Sequence, residues 1–522
     1  MGLLTSLGDN VRRGVSAALP WVGLGGNSTA GLEAGAGARR LRNFRPGPAH
    51  VNTLVANAGR TVTERARWLV RNNAYAINAV DWWGSAVVGS GITPSWGVED
   101  QRLKAALRAT WDEWTDEADA EGLTDFYGLM RRGVREMFIT GEVFYRLRYR
   151  RPGDGLTVPL QLQMLPSEML DTAYNLRLEN GNTVRQGIEF DLIGRRVAYW
   201  FWRVHPADST EQTGFAGQRS RVPAAEVIHL LDPVEAGQIR GLSRFANVVV
   251  QLFTLDQYDD AELERKKVAA LFAGFITRPA EVDPEENIVG VPLPGAGLLA
   301  GGGPPIEAAI AGLEAGTMQV LMPGEGVEFA EPADVGGNYE AFQFRALLRI
   351  GVGLGVPYHG LTGDMTRGNY GNTRASSLDA RRRTEAFQWS VVIFGFCRRV
   401  AAAWTAQAAL AGAVPGMTAE AFARTPKAFN KIRWMPPPWG WVDPLKDVQA
   451  DALMVENGFK ARSEVMEANG FDAEETDRRR AADQEREERL GLTRPAPAAP
   501  GATTQTEEDD QAPAKPADPG ST

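Results

Sequence analysis

The sequence predicts a mixed α+β fold in which long helices flank a strand-rich zone. Apolar residues recur at three- and four-residue intervals over several long stretches, which is typical of amphipathic helices. Between about residues 141 and 232 the pattern changes to alternation and to β-branched and aromatic runs, which are typical of strands. Hydrophobic residues make up 43% of the 522 residues and charged residues 23%, so the chain can bury a substantial core.

The first part of the chain carries two helical patterns. Thr61 and Glu64 have the spacing of a capping box, which predicts a helix start at residue 61. The apolar residues that follow recur at helical intervals: Ala66, Leu69, Val70, Ala74, Ile77 and Val80. A second helix is predicted over about residues 101–139.

The strand-rich zone begins with "GEVFYRLRYR", residues 141–150. Val143, Tyr145, Leu147 and Tyr149 alternate there with other residues, as in a half-buried strand. Further strands are predicted in "VPLQLQMLPSEML", "VAYWFWRV" and "AEVIHLLDP".

The second half returns to helices. A long helix is predicted over residues 241–276, and the Gly/Pro-rich stretch 277–337 predicts turns and short strands such as "MQVLM". A helix follows from Asn338 to about Gly353. The polar stretch "GDMTRGNYGNTRASSLDARRRTEAFQW", residues 363–389, predicts a soft loop that runs into a long helix ending near Leu410. Short helices are predicted over 443–490.

The sequence lacks the motifs of common enzymes and metal sites. No Gly-Lys dipeptide occurs, which excludes an ordinary Walker A loop and disfavours an ATP-driven motor. The four histidines are scattered, no HExxH or GxSxG occurs, and the one cysteine, Cys397, excludes a zinc finger. We therefore expect no catalytic residue, no metal and no cofactor. Cys397 lies in an apolar stretch and is predicted to be a buried structural thiol. No apolar run is long enough to predict a membrane span.

Two charged clusters have alternative interpretations. The first lies in the middle of the helix predicted over 241–276 and includes Asp259, Asp260, Glu262, Glu264, Lys266 and Lys267. Acids and bases at three- and four-residue spacing favour a solvated, ion-paired helix face, but the face could also line an aqueous passage. The second cluster is Arg381, Arg382 and Arg383, which could bind phosphate, pair with acids of another subunit, or form a solvated face.

The charge balance limits how the protein could handle nucleic acid. The net charge is −9 and the isoelectric point about 5.3. Tight binding to DNA requires cations that neutralise phosphates. If nucleic acid is involved at all, it is therefore expected to pass by this protein and not to be gripped by it.

Several segments in collinear order resemble the lambda-type phage portal proteins. They are "RARWLVRNNAYAINAVDWWGSAVVGSGITP" (65–94), "GEVF" (141–144), "VIHLLDPVEAGQIRGLSRFA" (227–246), "NYGNTRASSLDARR" (369–382), "WVDPLKDVQAD" and "NGFKARSEVMEANGFDAEE". Each motif alone is short, but their shared order over roughly residues 40–490 makes the resemblance specific. Gly371-Asn372 replaces a serine pair of the family pattern and Thr373 replaces an alanine, which leaves the segment polar.

The resemblance implies a dodecameric ring at one vertex of the capsid, with the regions of the portal fold. These regions are a flexible N-terminal segment (1–45), an α/β wing (46–244), a stem helix (245–276), a clip (277–337), a returning stem helix (338–356), a tunnel loop (357–375), a long connecting helix (376–440), a helical crown (441–490) and a disordered acidic, Pro-rich tail (491–522). A ring of about 12 helices spaced about 10 Å apart would leave a lumen of roughly 30 Å.

The resemblance also implies which residues meet double-stranded DNA. Tunnel-loop candidates are Asp364, Thr366, Arg367, Asn369, Tyr370, Asn372 and Arg374. The charged cluster at 259–267 would line the stem channel, and Arg381–Arg383 would make brief phosphate contacts or intersubunit pairs.

The implied role is a channel for DNA packaging and ejection and a nucleator of capsid assembly. The implied partners are other copies of the chain, the major capsid protein, the terminase large subunit, a head–tail adaptor and the DNA that passes through, but no membrane. Assembly would take place in the host cytoplasm, and the product would be part of the virion. Two alternatives remain open from sequence: another head–tail connector, or a head maturation or packaging enzyme.

Overall fold

The protein combines helices and sheets, as the sequence predicts. A computed structural model describes residues 47–210, 214–271, 275–277, 326–328, 336–366, 368–439 and 444–492. Its helices are α1 (Val51–Asn72), α2 (Ala74–Val87), α3 (Gln101–Glu117), α4 (Phe126–Thr140), α5 (Val249–Leu271), α6 (Gly336–Leu354), α7 (Tyr358–Thr362), α8 (Tyr370–Phe387), α9 (Arg398–Ala411), α10 (Ala419–Arg424), α11 (Pro426–Phe429), α12 (Pro444–Glu456), α13 (Arg462–Ala468) and α14 (Ala473–Leu490). A π-helical segment, Gln388–Cys397, joins α8 to α9.

The described strands form four antiparallel sheets. The strands are β1 (Thr93–Trp96), β2 (Glu142–Tyr149), β3 (Leu160–Leu165), β4 (Leu176–Arg177), β5 (Thr183–Arg185), β6 (Ile188–Phe190), β7 (Arg196–Trp202), β8 (Arg219–Pro223), β9 (Val227–Leu231), β10 (Phe275–Thr277), β11 (Gly326–Glu328) and β12 (Ile432–Met435). Strand β2 lies between β3 and β9, and β4 to β8 form a meander in chain order. The other two sheets are the pairs β1–β12 and β10–β11.

The predicted start of the first helix at Thr61 is wrong. Helix α1 begins ten residues earlier at Val51, where the His50 side chain caps it by accepting the Asn52 N–H at 3.1 Å. The predicted single helix is also divided, because Asn73 ends α1 and its side chain caps α2 by accepting the Ala76 N–H. A Thr and a Glu at capping-box spacing can lie inside a helix when tertiary packing stabilises helical residues on both sides of them.

The helix predicted over 101–139 is likewise two helices. The buried Asp119 accepts the backbone N–H groups of Glu121, Leu123 and Thr124 at 3.0–3.2 Å, and these bonds turn the chain. Asp125 then caps α4 by accepting the Gly128 N–H. A short polar side chain that bonds nearby backbone groups offers the chain an alternative to the helical ladder.

The four strands predicted between residues 141 and 233 are confirmed, and β2 is buried more fully than its alternation indicates. The strand predicted in "MQVLM" lies outside the described residues. Val143, Phe144 and Tyr145 of β2 are all essentially inaccessible. Val143 and Tyr145 belong to the main core, whereas Phe144 packs in a second core against Tyr199 and Phe201 of the meander. Strand β2 therefore separates the helical core from the meander sheet.

The main core is dominated by tryptophans from both halves of the chain. Trp111 lies 5.0 Å from Trp114, 5.1 Å from Trp404 and 5.8 Å from Trp96 between ring centroids. Large aromatic rings contribute more contact area than any other side chains. The cluster fixes α9 against α3.

The second half confirms the helix predicted from Asn338 and corrects three boundaries. The helix predicted from residue 241 begins at Val249, after a 3-10 turn at Arg244–Asn247. The loop predicted over 357–375 is reduced to 363–369, because α7 precedes it and α8 already begins at Tyr370. The long helix that the sequence predicts to end near Leu410 does end at Ala411. The region 376–440 that the resemblance implies as one connecting helix is therefore helical only up to that point, and a turn, α10, α11 and β12 follow.

Other predictions fall partly or wholly outside the described residues. Residues 1–46, most of the predicted clip and residues 493–522 are not described. Cys397 is buried, as predicted, and burial raises the pKa of its thiol.

A buried polar cluster joins β2, β9 and the segment that leads to α5. One carboxylate oxygen of Glu142 accepts from Arg240 Nε at 2.7 Å and also from Arg240 Nη2. The other oxygen accepts the Gly241 N–H at 2.7 Å and contacts His229 Nε2 at 3.0 Å. All three charged or titratable side chains are buried. Every polar atom here needs a partner, because an unpaired charge in this environment is strongly unfavourable.

The protonation states follow from these contacts. Burial opposes the charge on Glu142, but Arg240 and His229 outweigh it and hold the pKa of this carboxyl well below its usual range. Burial lowers the pKa of His229, so the ring is neutral at neutral pH. Its Nε2–H then donates to Glu142, and its Nδ1 faces the Tyr199 hydroxyl at 3.5 Å.

Two glycines permit the close approach of backbones at this cluster. A Cβ atom at Gly141, where φ is +93°, would lie 2.3 Å from the backbone of Leu242, and one at Gly241 would lie 2.3 Å from the carbonyl oxygen of Gly141. No side chain fits at such distances. The two sequence segments "GEVF" and "VIHLLDPVEAGQIRGLSRFA" therefore meet at one point.

We expect the substitution Glu142→Gln to lower the free energy of unfolding by about 3–5 kcal/mol, because it leaves Arg240 charged and buried without a counter-ion. Urea unfolding followed by tryptophan fluorescence measures the change. Glu64→Gln removes the exposed partner of Arg60 and should change the free energy by less than about 0.5 kcal/mol. Equal effects of the two substitutions would contradict the role of the buried pair.

Candidate functional site

The first candidate surface is the pair of helices α5 and α6. Leu255 and Leu347 are buried in the core at the end of the pair nearest to it. Farther along, the Tyr258 ring lies 6.0 Å from the Tyr339 ring in a stacked arrangement and 4.9 Å from Phe342. The contacts become aromatic and polar with distance from the core.

Asp259 points at the partner helix. Its carboxylate accepts from the Tyr339 hydroxyl at 2.9 Å and from Gln343 Nε2 at 3.4 Å. Burial together with the bond to this carboxylate raises the pKa of Tyr339 to about 12. Asp259 is therefore a contact between the two helices and is only partly accessible as a lining residue.

The other charged residues of α5 pair mostly with one another. Glu262 accepts from Arg265 at 2.6 Å and lies 3.9 Å from Lys266, and the hydrogen bond from Arg265 lowers the pKa of Glu262. Glu264 and Lys267 are 2.8 Å apart and both exposed. These pairs agree with the predicted ion-paired helix face.

Asp260 and Lys266 occupy the remaining predicted positions on this face. Asp260 is exposed, and Lys266 Nζ lies 5.3 Å from the centre of the Tyr339 ring. Near the start of the pair, Asn73 Nδ2 donates to Asp256 at 2.7 Å and ties α5 to the junction of α1 and α2.

The second candidate surface is the short loop 363–369. Gly363 ends α7 with φ +73°. Asp364 then organises the loop, because its Oδ1 accepts from the N–H of Thr366 at 2.8 Å and from the hydroxyl of the same residue at 2.6 Å. Its Oδ2 accepts from Tyr358 at 3.1 Å. The side chains of Asp364 and Thr366 therefore stabilise the conformation of the loop.

The remaining predicted loop residues divide between the loop and α8. Asn369 caps α8 by accepting the Asn372 N–H at 2.8 Å, and Asn372 is exposed on the first turn. Arg374 lies on the helix and contacts Asp447 of α12 at 3.5 Å. Arg367 and the side chain of Tyr370 lie outside the described residues.

The arginine cluster at 381–383 lies on α8. Arg381 pairs with Glu385 at 2.7 Å, and Arg383 pairs with Asp379 at 2.7 Å, both one helical turn away. Arg382 is exposed. Two of the three cations are thus matched within their own helix, as on a solvated face.

No helix in the described part of the chain is long and apolar enough to cross a membrane. Among the described residues there is also no group of three or more His, Cys, Asp or Glu side chains placed to hold a metal ion.

Comparison with known proteins assigns the family. Residues 37–388 match the family described as "Phage portal protein, lambda family". The chain belongs to this family. The probable portal protein of Halomonas phage phiHAP-1 is 28% identical over 454 residues, which cover 83% of this chain and 82% of that protein. Portal protein B of Escherichia phage lambda is 25% identical over 493 residues, covering 88% and 90%.

A solved structure aligns more weakly. A chain from the neck of an empty GTA particle, computed with C6 symmetry, aligns with a TM-score of 0.43 at 17% identity and covers 82% of this chain and 96% of that chain. The family assignment rests on the sequence match. The protein is a phage portal protein, and this family is structural and not enzymatic.

Sequence reasoning missed an apolar surface on the helix pair of this portal protein. Val250 is 72% exposed and Val352 is 71% exposed, while Phe253 and Phe342 are about half exposed. The Phe253 ring also contacts the half-exposed Trp68 of α1, with centroids 6.4 Å apart. The apolar run "VVVQLF" carries Val250 and Phe253 but does not reveal which of its residues the monomer leaves uncovered.

We expect Tyr339→Phe to loosen the helix pair by about 1 kcal/mol, since it removes the hydroxyl that donates to Asp259 and leaves the ring contacts intact. Hydrogen exchange of α5 and α6 amides measures the local stability. Tyr149→Phe, at an exposed tyrosine outside the pair, is the control. Unchanged exchange in Tyr339→Phe would mean that the bond contributes nothing to the pair.

Proposed function

We propose that copies of this portal protein close into a dodecameric ring at a unique capsid vertex and that double-stranded DNA passes through its channel during packaging and ejection. In this proposal the ring nucleates capsid assembly with the major capsid protein in the host cytoplasm. It then docks the terminase large subunit and later the head–tail adaptor. The apolar surface that the monomer leaves uncovered on α5 and α6, in a chain of the portal family, carries the proposal.

The uncovered surface supports contact between copies. Val250 and Phe253 lie on α5, and Val352 lies on α6, so exposed apolar side chains occur on both members of the pair. A cyclic ring uses heterologous contacts, in which one face of a subunit meets a different face of the next. The exposed apolar side chains of both helices offer area for one side of such a contact, and apolar burial would stabilise it.

The charges of α5 support a channel wall with little affinity for DNA. Asp259, Asp260, Glu262 and Glu264 accompany three cations, Arg265, Lys266 and Lys267, each of which already pairs with an acid of the same helix. Each phosphate that a fixed cation neutralises strengthens binding, whereas a conduit must release the DNA it conducts. We assign Asp260 and Glu264, the two most accessible acids, to the channel side, with Lys266 and Lys267 beside them.

The loop 363–369 is the proposed tunnel loop. Asp364 and Thr366 maintain its shape, so Arg367, Asn369 and the first turn of α8 are the parts assigned to DNA. On or next to that turn these are Tyr370, Asn372 and Arg374, of which Arg374 also contacts Asp447 of α12. Arg382 is the member of the arginine cluster assigned to phosphate or to a neighbouring subunit, because Arg381 and Arg383 are paired within α8.

The first test is the ring itself. Negative-stain microscopy of the purified protein should give rings with a central hole. The double substitution Val250→Asp, Val352→Asp should abolish them, because it places charges in an apolar contact. Leu192→Asp, at a turn residue that is 79% exposed, should leave the rings intact. Solid particles from the unmodified chain would refute the proposal.

The second test concerns the proposed acidic wall of the channel on α5. Asp260→Lys combined with Glu264→Lys should reduce the amount of DNA packaged per capsid, because the added cations retain phosphates. Nuclease protection of packaged DNA measures the effect. The pair Glu179→Lys, Glu485→Lys makes the same change in charge outside α5 and should package normally. Normal filling of capsids by the α5 variant would count against an acidic channel wall.

A further inference from the structure

A groove with aromatic and proline walls lies between α8, the π-helical segment, the residues after β12 and α13. It encloses about 310 Å³ and is lined by Trp389, Trp439, Pro436, Pro437, Arg433 and Glu464, among others. Trp389 is 48% exposed, and Arg381 lies 6.0 Å from the centre of the Trp439 ring. An adjoining groove of about 680 Å³ continues from Trp389 to the first residues of α14.

The charges of the groove do not suit a polyanion. Arg433 pairs with Glu467, and Arg381 pairs with Glu385, so both arginines are already neutralised. Glu464 also lines the groove, accepts the Ala461 N–H at 3.1 Å and forms no ion pair within the described part of the chain. The groove therefore has a slight acidic excess next to apolar walls, which favours a ligand that is apolar with one cation.

The chain itself contains such a segment beyond Leu492. In "TRPAPAAPG", residues 493–501, Arg494, Pro497 and Pro500 follow one another at steps of three residues. A polyproline II helix has three residues per turn, so these three side chains would lie on one side of it. Pro-rich segments in this conformation dock onto aromatic-lined grooves, because little conformational entropy is lost.

We propose that the segment Arg494–Pro500 docks in this groove of a neighbouring copy, with its prolines against Trp389 and Trp439 and Arg494 against Glu464. The proposal rests on the proposed ring for the presence of a neighbour. Within the ring, the tail would link adjacent subunits beyond the contacts of α5 and α6. Attachment to the same assembly raises the effective concentration of the segment.

The course of α14 favours a neighbour over the segment's own groove. Ala473 and Glu474, at the start of α14, line the adjoining groove. Among the described residues of α14, none after Glu474 lines either groove. The helix has 18 residues and carries the chain roughly 27 Å from its first residue before Arg494 is reached.

The chain also provides a matched control sequence. Pro513, Pro516 and Pro519 have the same three-residue step, but Asp510 stands where the arginine would be. When Pro513 and Pro516 take the places of Pro497 and Pro500, a peptide of residues 509–520 puts Asp510 opposite Glu464, and its single cation, Lys515, falls between the prolines. It should bind weakly or not at all if the groove selects a cation.

The experiment titrates a fluorescent peptide of residues 493–501 into the full chain. The chain carries Arg494→Ala, Pro497→Ala and Pro500→Ala, so that its own copy of the segment does not compete with the peptide. Saturable binding is expected, with a loss of about tenfold or more on adding Trp389→Ala and a smaller loss on adding Glu464→Gln. Phe394→Ala, which truncates another exposed aromatic of the π-helical segment, should leave binding unchanged. No binding, equal binding of the 509–520 peptide, or binding of a single-stranded oligonucleotide in place of the peptide would overturn the proposal.

A photo-crosslinking side chain at Ala498 of the otherwise unmodified protein tests which copy is reached. Crosslinks to Trp389 should join two chains on a denaturing gel, and crosslinks confined to single chains would refute docking to a neighbour. Rings seen by microscopy without peptide binding would remove this proposal and leave the proposed function. Absence of rings would remove the proposed function, whatever the peptide does.

Discussion

The buried pair Glu142–Arg240 is the constraint on which the rest of the structure depends. Arg240 also donates to the carbonyl of Gln186 at 3.2 Å, and Gln186 Nε2 donates to the carbonyl of Asn52 in α1 at 2.8 Å. Gln186 is the one non-glycine residue with positive φ in the described part of the chain. A strained backbone of this kind persists only when its surroundings determine it. The pair thus links α1, the sheet of β2, β3 and β9, the meander sheet and the segment that leads to α5.

Patterns that depend on neighbouring residues were predictable from the sequence. The alternation of residues 141–150 predicts β2 correctly, and the periodicity from Asn338 predicts α6. Interactions between distant residues were not predictable. Nothing in the chain near Glu142 signals a partner at residue 240, and a histidine such as His50 rarely caps a helix, so the start of α1 was misplaced.

In the candidate functional site, too, local patterns were predictable from the sequence and contacts between distant residues were not. The ion pairs within α5 follow from three- and four-residue spacing and were predicted as a solvated face. The shorter loop at 363–369 depends on Asn369 as a helix cap, a signal present in the sequence but outweighed by the polar composition around it. That Asp259 would face Tyr339 could not be foreseen, because this requires the crossing geometry of two helices separated by an insertion.

The burial of Cys397 has a practical consequence for the chemical labelling of this protein. It is the only cysteine of the chain, it is buried, and its thiol stays protonated at neutral pH because burial raises its pKa. The thiolate is the species that reacts with maleimides, so the native protein should resist such dyes. A single cysteine engineered on any exposed turn would then give one defined attachment point per chain. Fluorescence energy transfer between such dyes would report the spacing between copies in the proposed ring without removing the native residue.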